Sequence, residues 1–450
     1  MVSCQLKEVR YEEIGTASEL DSQPKFSANN SGAGDGIVLA MTVLAAPLTQ
    51  AQTFTVLHTF NGTDGGVAST ALQMDRAGNL YGVAGDGGNY GSNCQPYGCG
   101  TAFKLTRSGS GWVFSLLYTF PGGYDGSRPD SQLVFGPDGA LYGSTDQGGI
   151  GHCGDSGTLP CGMIYRMAPP ASFCKSFVCP WNVTVLYRFT GGADGGGPGE
   201  IVFDQAGSIY GPTQLGGQSG CSGYFCGTVF KLTPSAGGWT ESVLYTFAGG
   251  SQDGYWPDGN LVFDQSGNIY GTTEMGGVEF EGTVYQLTPS QYGYTEKLLY
   301  QFTTGNSGQG PIGLLLDPSG NLFGTTFTGG LGGCGTAFEL TPSNGNWVFL
   351  TPYSFSGGVG ACGPFVGLIR DPAGNLYGTT NRTGAYGKGA VFKLTPSGGG
   401  WIYTALHDFT GGSDGGYPLS NVIFDTTGNF YGTASTGGSH GDGVVWEITP

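Results

Sequence analysis

Short apolar runs separated by Gly, Pro, Asp and Ser fill the chain after residue 52. In one repeat the runs cover residues 239–247 (WTESVLYTF), 260–264 (NLVFD), 268–273 (NIYGTT) and 282–289 (GTVYQLTP). Each run is rich in Val, Tyr, Phe, Leu and Thr, which suit a pleated and half-buried surface, and each is bounded by turn residues. No helical periodicity longer than a turn or two occurs after residue 50. The pattern therefore predicts an all-β protein made of short strands.

The centre of the repeat is a five-residue G-[NSA]-[LIF]-[YF]-G motif that occurs seven times. The copies occupy residues 78–82, 139–143, 207–211, 267–271, 320–324, 374–378 and 428–432. The same four apolar runs surround each copy, so each repeat predicts a four-stranded antiparallel meander. Radial packing of such sheets leaves only short, protected edges. The sequence thus predicts a seven-bladed β-propeller of four-stranded blades that forms a single domain over residues 53–450.

The two ends of the repeat region predict how the ring closes. Residues 53–60 (TFTVLHTF) match the fourth strand of a blade, and residues 444–450 (VVWEITP) match the third. The strand types balance only if residues 53–60 complete the last blade. Within each blade, the nearly chargeless NLVFD-type strand is expected at the axis and the aromatic WTESVLYTF-type strand at the rim.

Aspartates recur at two kinds of turn. Six repeats carry an Asp three residues before a Gly, the pattern of a type I turn that ends in a left-handed glycine: Asp75, Asp204, Asp264, Asp317, Asp371 and Asp425. Five loops between blades carry Asp-Gly: Asp64, Asp125, Asp194, Asp253 and Asp414. Neighbouring blades should be about 10 Å apart, whereas Ca²⁺ ligands lie about 2.4 Å from a shared ion. We interpret both sets as turn formers and predict no cofactor, although calcium bound by loop carbonyls stays open.

Residues 1–52 differ from the repeats. Residues 37–48 (IVLAMTVLAAPL) form an apolar run followed by Thr49, Gln50 and Ala51, which resemble a signal cleavage site. The run is too short to span a bilayer, so we expect a largely disordered leader with a signal peptide and no transmembrane span. The nearest upstream cation, Lys25, is distant from the run. A disordered tail with an incidental apolar patch is therefore the alternative.

Composition narrows the choice of partners. The chain has 89 Gly, 13% aromatic residues, 11% charged residues and a net charge of −17. Disorder is inconsistent with so many aromatic residues. A surface of this sign repels nucleic acid phosphates, so nucleic acid binding is not expected. Cationic, neutral and metal-bridged ligands remain possible, and we expect a monomer.

Ten cysteines lie in the repeat region, and their spacing favours disulfides over a zinc site. Eight form close pairs, which are Cys94 with Cys99, Cys153 with Cys161, Cys174 with Cys179, and Cys221 with Cys226. The remaining pair is Cys334 with Cys362. Disulfides persist in oxidising compartments, so the cysteines predict an extracellular or periplasmic protein.

The repeat resembles a known family. The residues that carry the likeness are 374–380 (GNLYGTT), 389–397 (GAVFKLTPS) and 401–415 (WIYTALHDFTGGSDG). They are similar to the GloVer tandem repeat of bacterial exported proteins. The resemblance implies a secreted or cell-surface repeat protein, often with a C-terminal sorting anchor, and supplies no catalytic residues. Because the sequence ends at Pro450 without such an anchor, the expectation is free secretion or periplasmic residence.

The long glycine-rich loops should all open on one face of the propeller, which favours binding there. The residue that opens each inner strand should ring the mouth of the central channel: Ala71, Gln132, Glu200, Asn260, Gly313, Gly367 and Asn421. Nearby lie Asp130, Asp258, Tyr124, Tyr255, Trp256 and Tyr417. Aromatic rings that stack on sugars, next to amides and carboxylates that bind hydroxyls, predict a carbohydrate funnel. A solvated rim without a ligand is the alternative.

Catalytic motifs are weak in this sequence. The four histidines, His58, His152, His407 and His440, fall in different repeats, and no zinc-protease, P-loop or nucleophile-elbow motif is present. We therefore assign no catalytic residue and no metal ligand. The sequence favours a binding or scaffold module for carbohydrate or cell-surface ligands. The alternative functions are a polysaccharide hydrolase or lyase that pairs Glu200 with Asp258 or Asp130, and a structural adhesin.

Overall fold

The computed structural model describes residues 52–450 except 92–93, 152, 154–160, 171–179, 218, 222–223, 358–361 and 399. The predicted leader up to residue 51, the predicted pair Cys174–Cys179, and His152 therefore lie outside the described residues. Gln50–Pro450 form one compact unit. Within the part of the chain described, no helix has the length and apolar character needed to cross a bilayer.

Seven four-stranded antiparallel sheets stand in a ring, which confirms the predicted seven-bladed β-propeller. The first, innermost strands are Gln73–Met74, Val134–Phe135, Val202–Phe203, Gly254–Phe263, Gln309–Leu316, Ile369–Arg370 and Ile423–Phe424. The second strands are Leu80–Ala84, Leu141–Thr145, Ile209–Leu215, Ile269–Gly276, Leu322–Thr328, Leu376–Thr380 and Phe430–Ala434. In the third blade Gly196–Pro198 adds a further short strand at the inner edge. We number the blades one to seven in this order.

The third and fourth strands complete each blade toward the rim. The third strands are Thr101–Ser108, Met163–Ala168, Thr228–Ser235, Thr283–Ser290, Thr336–Ser343, Ala390–Ser397 and Val444–Thr449. The outer strands are Gly111–Thr119, Asn182–Arg188, Gly238–Thr246, Gly293–Gln301, Asn346–Ser354, Gly400–Asp408 and, for blade seven, Thr53–Thr59. A 3₁₀ turn at Gly123–Asp125 and a small hairpin of Ser219–Cys221 with Tyr224–Phe225 lie in the loops.

The first strand of the chain lies in the last sheet. Thr53–Thr59 runs antiparallel to Val444–Thr449, with Thr53 opposite Thr449 and Thr59 opposite Val444. Side chains connect blade seven to blade one, because the His58 imidazole stacks on Phe114 with centroids 3.9 Å apart. Near the axis, the Thr433 hydroxyl donates to the carbonyl of Thr70 at 3.2 Å, which also joins the last blade to the first.

The hydrophobic core lies between neighbouring blades. One cluster combines Tyr210 and Val229 of blade three with Ile269, Tyr285 and Leu287 of blade four. Burial of such side chains stabilises each interface by roughly 25 cal/mol per Å² of apolar surface removed from water. The glycine that ends the repeat motif makes room for this packing. A Cβ at Gly271 would lie 2.3 Å from the Tyr285 hydroxyl, so the second strand needs glycine there.

Main-chain hydrogen bonds also fasten blades together. In four blades a residue on the approach to the inner strand, or within it in blade four, adopts a left-handed conformation, with φ from 52° to 56° at Val67, Arg128, Trp256 and Tyr417. Each of these residues donates its N–H to a carbonyl two residues before the third strand of the preceding blade, with N–O distances of 2.7–3.2 Å. The acceptors are Asp442, Cys99, Cys226 and Lys388.

Rim contacts at four of the seven blade interfaces follow one pattern, and blade two departs from it with Val183. Aromatic rings of adjacent outer strands stack, as Phe349 does on Tyr300 with centroids 4.0 Å apart. In blades three and four the equivalent positions carry Glu241 and Glu296. The Glu296 carboxyl faces Tyr245 and Asp253, and burial together with Asp253 raises its pKa to about 8. These two interfaces therefore contain buried carboxyls instead of aromatic stacks.

The recurring aspartates form turns, as predicted. Asp264 accepts hydrogen bonds from the N–H groups of Ser266 and Asn268 at 2.8 and 3.0 Å, and from the Tyr270 hydroxyl at 2.9 Å. In the loops between blades, Asp414 accepts from the N–H of Thr410 at 2.9 Å and contacts His407 at 3.1 Å. This second pattern repeats at Asp64, which contacts His58 at 3.0 Å. His58 and His407 are therefore structural rim residues.

Three of the predicted disulfides are confirmed, namely Cys94–Cys99, Cys153–Cys161 and Cys334–Cys362. Cys226 is also disulfide-bonded. The side chain of its predicted partner, Cys221, lies outside the described residues. The bridge between Cys334 and Cys362 connects a loop of blade five to the start of blade six.

Candidate functional site

A cavity of about 350 Å³ lies at the axis, where the starts of the inner strands converge. Residues from all seven blades line it, and the loops on this face are the long, glycine-rich ones. The lining residues are Ser69, Thr70, Ala71, Asp130, Asp146, Gly197, Pro198, Gly199, Glu200, Gln214, Asp258, Gly259, Asn260, Ile312, Gly313, Phe365, Val366, Gly367, Leu419 and Asn421. We call this space the axial cavity.

Blades two to four contribute the acidic side of the axial cavity. Asp130, Asp146, Glu200 and Asp258 all line it. Asp146 directly follows the second strand Leu141–Thr145, and Glu200 lies two residues before the inner strand of blade three. Asp258 lies within the long inner strand of blade four. Strands of the scaffold therefore position these carboxyls.

Burial raises the pKa of two of these carboxyls to near neutral pH. Burial and the nearby charge of Asp258 raise the pKa of Glu200 to about 7. Burial, with Asp130 and Asp258 nearby, raises the pKa of Asp146 to about 6, although Arg128 opposes this shift. Such groups exchange protons near neutral pH, which is the property of carboxyls that act in acid–base chemistry or respond to a bound charge.

Blades five to seven contribute an apolar side. Ile312, Phe365, Val366 and Leu419 line the cavity there. The Phe365 ring stacks on Phe327 with centroids 5.6 Å apart and planes 27° from parallel. The cavity therefore has an aromatic wall opposite a carboxyl wall, the combination that suits a ring with both apolar faces and polar substituents.

Two buried polar atoms of the lining residues lack a hydrogen-bond partner among the described residues. They are the hydroxyl oxygen of Thr70, a residue that is only 6% exposed, and the amide oxygen of Asn421. Asn260 differs, because its amide group donates to the carbonyl of Leu314 and accepts from the N–H of Leu314, both at 2.9 Å. Buried polar atoms usually have partners, so Thr70 and Asn421 point to a missing one.

The structure brings together most of the predicted ring and separates the rest. Glu200, Asn260 and Asn421 line the axial cavity, as do Ala71, Gly313, Gly367, Asp130 and Asp258. Gln132 lies outside the lining and donates to the carbonyl of Leu72 at 3.2 Å.

The four predicted aromatic residues, Tyr124, Tyr255, Trp256 and Tyr417, also lie outside the cavity lining. Tyr124 is 70% exposed in a loop. Trp256 packs edge-on against Tyr255 with centroids 6.5 Å apart. Tyr417 lies near Arg382, and its hydroxyl accepts a hydrogen bond from Lys388 Nζ at 2.7 Å. None of these side chains forms the aromatic wall, which belongs to Phe365.

Sequence reasoning missed Asp146, Gln214 and Phe365. Asp146, Gln214 and Glu274 occupy corresponding positions in blades two to four, directly after a G-[SPT]-T segment. Asp146 directly follows its second strand, whereas Gln214 and Glu274 lie within theirs. The polar residue shared at this position was the signal that the sequence offered. Burial and the charge of Asp258 raise the pKa of Glu274 to about 7, although Glu274 is not among the residues that line the axial cavity.

Across the described residues, no group of three or more His, Cys, Asp and Glu side chains is placed to hold a metal ion.

The fold and the axial cavity define a β-propeller repeat protein. The profile of the Gloeobacter/Verrucomicrobia repeat matches residues 92–297, 151–369 and 264–450. The chain belongs to the Gloeobacter/Verrucomicrobia repeat family. No curated protein matches it in sequence.

Solved structures share the fold at low identity. A candidate 6-phosphogluconolactonase from Bacteroides uniformis has 14% identity and a TM-score of 0.49, over 79% of this chain and 89% of that one. The extracellular domain of a candidate one-component system from B. thetaiotaomicron has 11% identity and a TM-score of 0.50, over 88% of this chain and 40% of that one. An ulvan lyase solved with -[GlcA(1-4)Rha3S]- has 10% identity and a TM-score of 0.48, over 86% and 94%. These similarities concern the fold alone.

Proposed function

We propose that this chain is an exported propeller that binds carbohydrate in the axial cavity. In this proposal residues 1–52 are a leader, and residues 53–450 are the exported binding domain. Three disulfides support an extracellular or periplasmic location, because such bonds persist in oxidising compartments.

One observation carries the proposal. Phe365 and Ile312 form an apolar wall opposite the carboxyls of Glu200 and Asp258 in a single cavity. The C–H face of a sugar packs on apolar or aromatic surface, while its hydroxyls donate to carboxylates and amides. The volume of about 350 Å³ suits one or two sugar units and not a folded partner. Tyr124, Trp256 and Tyr417, which lie outside the cavity lining, are not part of the proposed binding site.

Binding of defined oligosaccharides, measured by isothermal titration calorimetry, tests the proposal. We expect Phe365→Ala and Glu200→Ala each to weaken binding about tenfold, the loss of one good contact. Tyr124→Ala is the matched aromatic control, because Tyr124 lies on the same face outside the cavity. Equal losses in all three variants, or loss only in Tyr124→Ala, would place the ligand elsewhere.

A polysaccharide hydrolase or lyase is the second candidate function. It is favoured by Glu200, whose pKa of about 7 suits a general acid, next to Asp258 in the same cavity. Incubation with polysaccharides and detection of new reducing ends or unsaturated products distinguishes the two functions. An enzyme should lose turnover in Glu200→Gln while it retains substrate affinity. A binding module shows no turnover in either form.

A further inference from the structure

We propose that the axial cavity selects a sugar that carries a protonated amine over a neutral or an acidic sugar. This inference rests on the proposed function and narrows it to one chemical class, the amino sugars with a free amino group.

The charges around the cavity exclude anions. Four carboxyls line it, from Asp130, Asp146, Glu200 and Asp258, and no Lys or Arg is among the described lining residues. The nearest cation is Arg128, whose Nε lies 3.7 Å from Asp130 Oδ2. One guanidinium at the edge leaves several carboxyls without a counter-charge. A ligand cation would supply it, whereas a uronate or sulfate would add repulsion.

One unpartnered buried atom of the lining requires a donor. The amide oxygen of Asn421 accepts hydrogen bonds and cannot donate them, whereas the almost fully buried Thr70 hydroxyl, also without a partner, can donate or accept. An ammonium or a hydroxyl supplies the hydrogen that the Asn421 oxygen needs. A carboxylate or sulfate has none to give. Asn421 lies on blade seven, so it disfavours an anionic substituent independently of the carboxyls.

The apolar wall orients the ligand. Phe365, Ile312 and Leu419 face the cavity from blades five to seven, while the carboxyls come from blades two to four. A sugar ring packed on Phe365 places its substituents toward Glu200 and Asp258. The amine then pairs with carboxylates while the opposite face of the ring remains on apolar surface. This two-sided arrangement distinguishes an amino sugar from a simple inorganic cation.

Protonation of the carboxyls should be coupled to binding. Glu200 faces Asp258, and Asp146 faces Asp130, Asp258 and Arg128. Their raised pKa values, about 7 and about 6, leave both groups partly protonated near pH 6.5. A bound cation favours the ionised form, so binding should release protons. A neutral sugar should release few or none.

Calorimetry near pH 6.5 at low salt tests the inference with glucosamine oligomers, their fully N-acetylated counterparts and glucose oligomers. We expect the free amines to bind at least about tenfold more tightly than either neutral series. The same titrations in two buffers of different ionisation enthalpy should reveal proton release for the amines alone. Equal affinities would overturn the amine selectivity and leave carbohydrate binding standing. If none of the three series binds and a broader glycan screen also finds no ligand, both the amine selectivity and the proposed carbohydrate binding are overturned.

Charge-neutral variants localise the effect. Glu200→Gln and Asp258→Asn should each reduce the preference for the free amine about tenfold and reduce proton release. Glu279→Gln is the control, because it removes a carboxylate that binds Thr304 in a loop of the same face, outside the cavity. Thermal unfolding of each variant verifies that it folds. A folded Glu200→Gln, Asp258→Asn double variant with undiminished preference would refute the inference.

Discussion

The ring of Phe54 lies flat on the imidazole of His407, with centroids 3.7 Å apart and planes 9° from parallel. Phe54 belongs to the outer strand of blade seven and His407 to that of blade six. On the other side of blade seven, His58 stacks on Phe114 of blade one. Both rim contacts of the closing strand therefore contain a histidine.

These histidines predict sensitivity to acid. Burial lowers the pKa of His58 and of His407 below 6.5, although Asp64 and Asp414 oppose the shift. The folded state therefore binds fewer protons than the unfolded state, and stability falls as pH decreases through 6.5 toward the folded pKa. We expect the double variant His58→Tyr, His407→Tyr to lose less Tm between pH 7.5 and 5 than the wild type. Tyr occupies the corresponding position of blade three as Tyr245, which also binds an Asp. An unchanged loss of Tm would contradict the role of the histidines.

The carboxyl of Glu296 predicts the opposite pH dependence. Its folded pKa of about 8 exceeds the unfolded value, so its contribution becomes more unfavourable as pH rises from about 4.5 to 8. Glu296→Gln should therefore stabilise the propeller by ~1–3 kcal/mol at pH 9 and have little effect near pH 4.5. Denaturant unfolding at both pH values measures this difference. A gain that is equal at both values would indicate packing and not ionisation.

Because residues 53–59 pair with residues 444–449, the closing strand should tolerate relocation to the other end of the sequence. Deletion of residues 53–60 should expose the edge of Val444–Thr449 and cause aggregation or loss of cooperative unfolding. A permuted chain that begins near residue 66 and carries residues 53–60 after Pro450 should fold. A copy of the Ser235–Gly238 turn, which joins the same two strands in blade three, can connect them. The permuted chain should unfold within a few degrees of the wild type. Its failure to fold, with an intact turn, would contradict the prediction.

The disulfides predict unequal contributions to stability. Cys334–Cys362 closes a loop of 28 residues, whereas Cys94–Cys99 closes one of 5. Since loop-closure entropy grows with loop length, replacing the first pair by serines should cost about 3 kcal/mol and replacing the second pair less. Chemical denaturation of the two double variants under the same conditions compares them. A larger loss for the short loop would mean that local strain or contacts dominate.

The architecture could be predicted because its signals are local and repeated seven times. Each strand type and each aspartate turn recurs from repeat to repeat, and residues 53–60 carry the pattern of the fourth strand. An ambiguous assignment in one repeat can therefore be resolved by comparison with the others. Alignment of the inner strands also placed Glu200, Asn260 and Asn421 at the axis correctly.

The details of the site could not be predicted, because they depend on the backbone between strands. Trp256 and Tyr417 adopt left-handed φ values of 56° and 53°, for which a bulky aromatic residue gives no sequence signal. Their side chains therefore lie outside the cavity that their positions in the chain suggested. Phe365 lies among Pro364, Val366 and Leu368, and nothing in this local sequence distinguishes it from a core residue.

The left-handed residues that join successive blades do so through their backbone N–H groups, and at Tyr417 the side-chain hydroxyl adds a second bond, from Lys388. Any side chain tolerated by that backbone preserves the N–H that reaches the preceding blade, and Val67, Arg128, Trp256 and Tyr417 already show four different chemistries there. Evolution can therefore alter the charge and shape of this face, blade by blade, without loosening the ring. A propeller held together in this way can acquire new binding surfaces while its blades stay joined.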